Sequence, residues 1–193
     1  MTQPKRFDPL ERLDRAVDVF WENGFDGIGM QNLCKAMELF PGSLYGTYGD
    51  KRRLFLQAID RYMATCSAEA IGTLQRNPSG VGAIADYFSD LIEGILSGRR
   101  RWGCLLTNSI VELAQKDPAV REKVNEHLQR LELAFANAID RGKAAGEISG
   151  QVGTTTAALL VCIVQGINVL AKTGPSKDRL AALKASALSL LNP

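Results

Sequence analysis

The chain has 193 residues, 46% of them hydrophobic, and a formal net charge of +2. That length and composition suit one large domain, or a small one joined to a larger, and exclude a long disordered protein. So small a charge does not announce a nucleic-acid partner, and within residues 1–60 acids slightly outnumber bases, so any such partner must be argued from where the cations sit.

The inventory of special residues excludes more. Nothing in MTQPKRFDPLERLDRA resembles a signal peptide. The most apolar run, residues 157–171, is interrupted by Gln165 and Asn168 and falls short of the ~20 residues that span a bilayer. A cytoplasmic protein without a membrane partner is expected. Cys34, Cys66, Cys104 and Cys162 stand far apart with no C-x-x-C pair, which reads as buried thiols and not as a disulfide set or a zinc site. His127 is the only histidine, leaving metal ligation and histidine-based catalysis little to work with. No catalytic residue, metal or cofactor is expected.

Helical periodicity runs the length of the chain, and no segment alternates like a strand. Leu10, Leu13, Ala16, Val17, Phe20 and Trp21 share one face of a first helix, which Asn23-Gly24 ends. Met30, Leu33, Cys34 and Met37 mark a short second helix, and Glu38-Leu39-Phe40 a turn after it. Pro41 opens a third helix, PGSLYGTY, with Phe40 at its N-cap and Leu39 and Leu44 at the spacing of a hydrophobic staple. Leu44 and Tyr48 can face a core, while Gly42 and Gly46 share another face beside Ser43 and Thr47. Asp50 caps the next helix, whose apolar side is Leu54, Phe55, Ala58, Ile59, Tyr62 and Met63.

Beyond Pro78-Ser79-Gly80 the elements lengthen. One helix covers about 81–96, a basic loop Arg99-Arg100-Arg101 leads to another at about 104–114, and Asp117-Pro118 starts a long one that Gly146 closes. Residues 154–172 are apolar nearly all round, which in a helix means contacts on several sides. Leu180, Leu183, Ala187, Leu190 and Leu191 mark a last amphipathic helix. The expected fold is all-α, of about nine helices.

Helix, short turn, short helix, with an earlier helix covering both, is a helix-turn-helix layout. A helix lying in the major groove needs small residues where its backbone nears DNA and hydroxyls within reach of base edges or phosphates. Gly42 and Gly46 permit close approach, Ser43 and Thr47 supply hydrogen-bonding groups, and Tyr45 can bond a phosphate. The start of the helix after Asp50, with Lys51, Arg52 and Arg53, suits a phosphate too. Candidate DNA-binding residues are Gln31, Pro41, Gly42, Ser43, Tyr45, Gly46, Thr47, Tyr48, Lys51 and Arg52.

The pattern Phe20-x3-Gly24-Phe25, then Leu33, then Leu39-x2-Gly42-x-Leu44-Tyr45-x2-Tyr48-x2-Lys51-x2-Leu54 resembles the DNA-binding domain of TetR-family repressors. Gly103-Cys104-Leu105-Leu106-x-Asn108-Ser109, with Glu112-Leu113-Ala114 and Asp117-Pro118, resembles one C-terminal subtype of that family. The resemblance implies a helix-turn-helix domain at 6–66, with its motif at about 29–48, and an effector-binding and dimerisation domain at 67–193. It also implies a homodimer through the last two helices, about 154–191, a palindromic operator in double-stranded DNA, and release by a small-molecule effector. Three departures stand out. Ile28-Gly29 replaces a usual Thr or Ser, Met37-Glu38 replaces Ala-Gly and places a negative charge near the DNA, and Phe40 replaces a hydroxyl cap.

Tyr87, Trp102, Cys104, Asn108, Phe135, Gln165 and Asn168 are candidates to line the effector pocket, although aromatic residues at helical spacing are usually core. The Arg99-Arg100-Arg101 run either draws an anionic effector or is a solvated loop, and the loop is favoured. Cys104 reads as a packed thiol, with a reactive sensor as its alternative. The rival functions are a helical ligand carrier without specific DNA binding and an all-α enzyme.

Overall fold

The computed structural model describes residues 7–192, so the expected start of the first domain, at residue 6, lies outside it. The described residues form ten α-helices and one π-helical turn, and no strand. In order these are α1 (Pro9–Asn23), α2 (Met30–Ala36), α3 (Pro41–Tyr48), α4 (Lys51–Tyr62), the π turn (Met63–Ser67), α5 (Ala68–Arg76), α6 (Gly80–Leu96), α7 (Leu105–Leu113), α8 (Pro118–Ala144), α9 (Thr156–Ala171) and α10 (Lys177–Ser189). Because α4, the π turn and α5 run on without a break, the expected count of about nine corresponds to the continuous helical stretches.

Local signals explain most boundaries. Asp8, Asp50, Ser79, Asp117 and Ser176 cap α1, α4, α6, α8 and α10 with their side chains, and Pro opens α1, α3 and α8. Gly24 ends α1 at φ 73°, a left-handed backbone that glycine takes without strain. Helices α2 and α3 start at Gly29 and Phe40 with no side-chain cap, as the departures at those positions imply. The staple residues compensate in part, since Leu44 is fully buried and Leu39 packs on the same core.

Glu38 supplies the turn with φ 51°, the one positive φ at a non-glycine among the described residues. Its carboxylate meets Arg15 at 2.6 Å and Arg12 at 2.7 Å, and those two guanidinium groups hold it below the usual carboxylate range. The charge expected to face DNA at this position is therefore already paired within the chain.

Two apolar cores form. One gathers α1–α4 around Phe20, Leu33, Leu44 and Phe55, and it draws in Leu105, Leu106 and Leu113 of α7 and Val120 and Val124 of α8. The other joins α5, α6, α8, α9 and α10 around Phe88, Phe135, Leu160 and Leu180. Helix α8 thus serves both cores, while α7 packs its apolar side on the first. No helix among the described residues is long and apolar enough to cross a membrane.

Candidate nucleic-acid interface and ligand cavity

Helix α3 stands on two buried residues one turn apart, Leu44 and Tyr48. Anchoring that side turns Pro41, Gly42, Ser43, Tyr45, Gly46 and Thr47 to solvent. A Cβ built on Gly42 or Gly46 would meet nothing within 4 Å, so neither glycine is required by packing among the described residues. Both cost helix stability, up to ~1 kcal/mol each relative to alanine, and the ridge they leave bare faces outward. Tyr45 is 52% exposed and Phe40 84%, two large side chains offered to solvent on one short helix and its cap.

Not every expected contact residue reaches this face. Tyr48 is turned into the core, where its hydroxyl donates to the Pro9 carbonyl at 2.7 Å and burial raises its pKa. Its role is to hold α3 on α1. Arg52 is engaged by both oxygens of Asp117, at 2.6 and 2.8 Å, a bidentate pair that lowers the carboxyl pKa. Gln31, on α2, is exposed. Lys51 opens α4 with its ammonium 4.5 Å from the centre of the Phe25 ring, and Asp50 accepts from the Arg53 amide at 2.8 Å. That amide is thereby occupied, and Lys51 is the cation held at the helix start.

The C-terminal candidates separate likewise. Tyr87, Cys104, Gln165 and Asn168 meet around one small cavity of about 20 Å³, together with Tyr62, Ser67, Arg100 and His127. Tyr87, Ala70 and Arg100 also border an outer cleft of about 290 Å³ between α5 and α6. The π turn delivers Cys66 to the outer cleft and Ser67 to the inner cavity. Such turns recur where a helix serves a site.

Trp102 lies elsewhere, its ring 5.9 Å from Trp21 and under the Arg101 guanidinium. Asn108 donates to the Trp102 carbonyl at 3.0 Å, and Phe135 is fully buried against Tyr87. These three do not line the cavity. Each follows a packing demand that spacing alone does not reveal.

Of the lining residues, Gln165 accepts at Oε1 from Thr107 at 2.6 Å, and Tyr62 donates to Cys104 Sγ at 3.5 Å. Ser67 Oγ lies 2.8 Å from His127 Nδ1, and burial pushes that imidazole down to about 4, so it is neutral at pH 7. Burial also raises the pKa of Tyr62 and Tyr87. Ser67, His127, Tyr62 and Arg100 were not among the expected lining residues. Arg100 belongs to the basic run Arg99-Arg100-Arg101, but nothing in the run distinguishes the arginine that turns inward.

The two halves match described families. Residues 13–58 match the bacterial regulatory proteins of the tetR family, and residues 80–187 match the tetracyclin repressor-like C-terminal domain. The chain belongs to the TetR family. It is 32% identical over 195 aligned positions, covering 100% of both chains, to the uncharacterised HTH-type transcriptional regulator YezE of Bacillus subtilis (strain 168). It is 27% identical to the HTH-type transcriptional repressor ComR of Escherichia coli (strain K12), over 97% of this chain and 90% of that protein. Among solved structures, a cysteine-substituted form of the TetR-family regulator CifR, complexed with 26-bp double-strand operator DNA, aligns with a TM-score of 0.86 and 28% identity. That alignment covers 97% of this chain and 98% of CifR.

Proposed function

We propose that this chain is a cytoplasmic, homodimeric transcriptional repressor that holds a palindromic operator through paired α3 helices and releases it when a small molecule enters the cavity behind α7. One observation carries the DNA half of this reading: the Gly42/Gly46 ridge is bare, outward-facing and unexplained by any contact among the described residues. Pro41, Ser43, Tyr45 and Thr47 flank it, and Lys51 adds a cation at the next helix start. Gln31 on α2 has the exposure to reach the backbone. In a dimer the two α3 helices meet half-sites about 34–36 Å apart, or a multiple of that. The repressor sign follows ComR, which is described as a repressor, and the operator reading follows CifR with its DNA.

The second copy has a face to use. Leu159, Cys162, Gly166 and Val169 line an exposed stripe on α9, apolar and opposite the side that packs in the core. Pairing α9 and α10 with their equivalents would cover it. We place the division between the DNA-binding unit, residues 6–66, and the effector unit, residues 67–193, within the π turn. The effector site is the inner cavity bordered by Tyr87, Cys104, Gln165 and Asn168 together with the outer cleft that Tyr87 and Arg100 share with it. A catalytic reading gains nothing from the Ser67–His127 contact, because no carboxylate among the described residues orients the imidazole.

Fluorescence anisotropy with the DNA upstream of the chain's own gene tests the reading. Binding that falls steeply with added salt yet survives excess competitor DNA is expected. A stable dimer with no sequence preference would identify a ligand carrier instead.

A further inference from the structure

The three neighbouring arginines after α6 have different fates. Arg99 reaches Glu93 at 3.6 Å in solvent, and Arg101 lies over Trp102 at 4.0 Å. Arg100 turns inward. Its backbone amide is fixed to the Gly94 carbonyl at 2.8 Å, and its side chain lies on Gly94, where a Cβ would come within 2.9 Å of Arg100 Cδ. The fold leaves room at Gly94 for this side chain to enter.

Once inside, the guanidinium has no partner. No hydrogen bond or ion pair engages it among the described residues, and its charged or ionisable neighbours are Tyr62, Cys104, Tyr87 and Cys66, with no carboxylate. The acids around the outer cleft do not supply one: Asp90 accepts from Thr73, Glu93 faces Arg99, and Glu69 is exposed. Arg100 is half-buried, and a cation that gives up part of its hydration with no counter-charge beside it is retained where something anionic arrives.

A second unmet group borders the same cavity. Asn168 is 3% exposed, and its side-chain oxygen has no hydrogen-bond partner. Buried amides are almost always satisfied, and this one is an acceptor waiting for a donor. The inner cavity, at about 20 Å³, has room for about one water, while the outer cleft of about 290 Å³ accommodates a small molecule. Arg100 borders both.

We propose that Arg100 and Asn168 form a recognition pair for a small hydroxylated organic acid, the carboxylate bonding Arg100 and the hydroxyl donating to Asn168. Arginine presents its donors as a fork that matches a carboxylate. Tyr87 borders both spaces and Tyr62 the inner one, and these aromatic rings favour a flat body over a bulky one. This deepens the effector reading above and rests on it only for the consequence on DNA, because binding itself is measured without DNA.

The experiment is calorimetric titration of the full-length protein with lactate and 4-hydroxybenzoate, each against its neutral amide at matched ionic strength. At least one acid binds, its amide binds roughly tenfold or more weakly, and Arg100→Gln removes the difference. Asn168→Asp provides a second measurement: an aspartate in the cavity supplies the missing anion, raises the melting temperature without ligand and abolishes the response to acid. The proposal is overturned if neither acid binds, if acid and amide bind alike, or if Arg100→Gln binds acid as wild type does. Should Arg100→Gln fail to fold, an unchanged acid response in Asn168→Asp overturns it. Operator anisotropy is recorded separately. Acid binding without DNA release retires the effector reading and leaves the anion site standing.

Discussion

The Glu112 carboxylate on α7 accepts the backbone amide of Asp26 at 2.7 Å, and that of Phe25 at 3.0 Å, across the boundary between the two halves of the chain. The same carboxylate lies over Gly24, where a Cβ would come within 2.8 Å of its oxygen. Helix α7 starts at the cavity and ends on the loop that leads into α2, so a shift of α7 reaches the DNA-binding unit through this contact. Glu112→Ala leaves two amides without their acceptor and should cost roughly 1–3 kcal/mol. Urea melts measure that loss. Operator anisotropy should show that the variant still binds DNA while its response to ligand is blunted.

Lys51 and Arg52 are adjacent and should behave oppositely. Arg52 is committed to Asp117, whereas Lys51 stands at the start of α4 beside Phe25. Lys51→Ala should weaken operator binding and lower the salt slope by about one counterion. Arg52→Ala should leave the slope near its wild-type value and instead loosen the contact between α4 and the start of α8. Equal slopes for wild type and Lys51→Ala would remove Lys51 from the phosphate contacts.

Much of this was legible in the sequence, and the failures share a cause. Periodicity and caps located the helices because each depends on neighbours within a few residues, as Asp50 with Arg53 or Gly24 with Phe20. The bare ridge could be read because glycines inside a helix need a reason. The contacts of Tyr48, Arg52, Trp102 and Phe135 could not be read from the sequence because their partners, Pro9, Asp117, Trp21 and Tyr87, lie far away in it. Glu38 shows both sides. Its replacement of a glycine was visible, but only the fold shows that the position demands a positive φ and that Arg12 and Arg15 take up its charge. The inward turn of Arg100 depends on Gly94 and was likewise invisible.

Gly46 separates stability from function. A Cβ there meets nothing within 4 Å among the described residues, and leucine is the better helix former. Gly46→Leu should therefore be as stable as wild type or gain up to ~1 kcal/mol, while losing operator binding because the ridge no longer fits the groove. Thermal melts and anisotropy on the same sample check both halves. A stable variant that binds with wild-type affinity would place the DNA contact elsewhere.

His127 should set the acid limit of the fold. It is 7% exposed, and burial, with smaller contributions from Arg130 and Arg100, depresses its pKa from 6.5 to about 4. The unfolded chain takes up a proton below pH 6.5 that the folded chain refuses until about pH 4. Unfolding therefore binds protons in that window, and stability falls as pH falls, by about 1.4 kcal/mol per pH unit at most. Across the window the loss is roughly 3 kcal/mol. His127→Gln keeps a polar group within reach of Ser67 and does not titrate, so its stability should hold nearly level over the same range. Urea midpoints at pH 7 and pH 5 decide the point: wild type should lose midpoint between them and the variant should not.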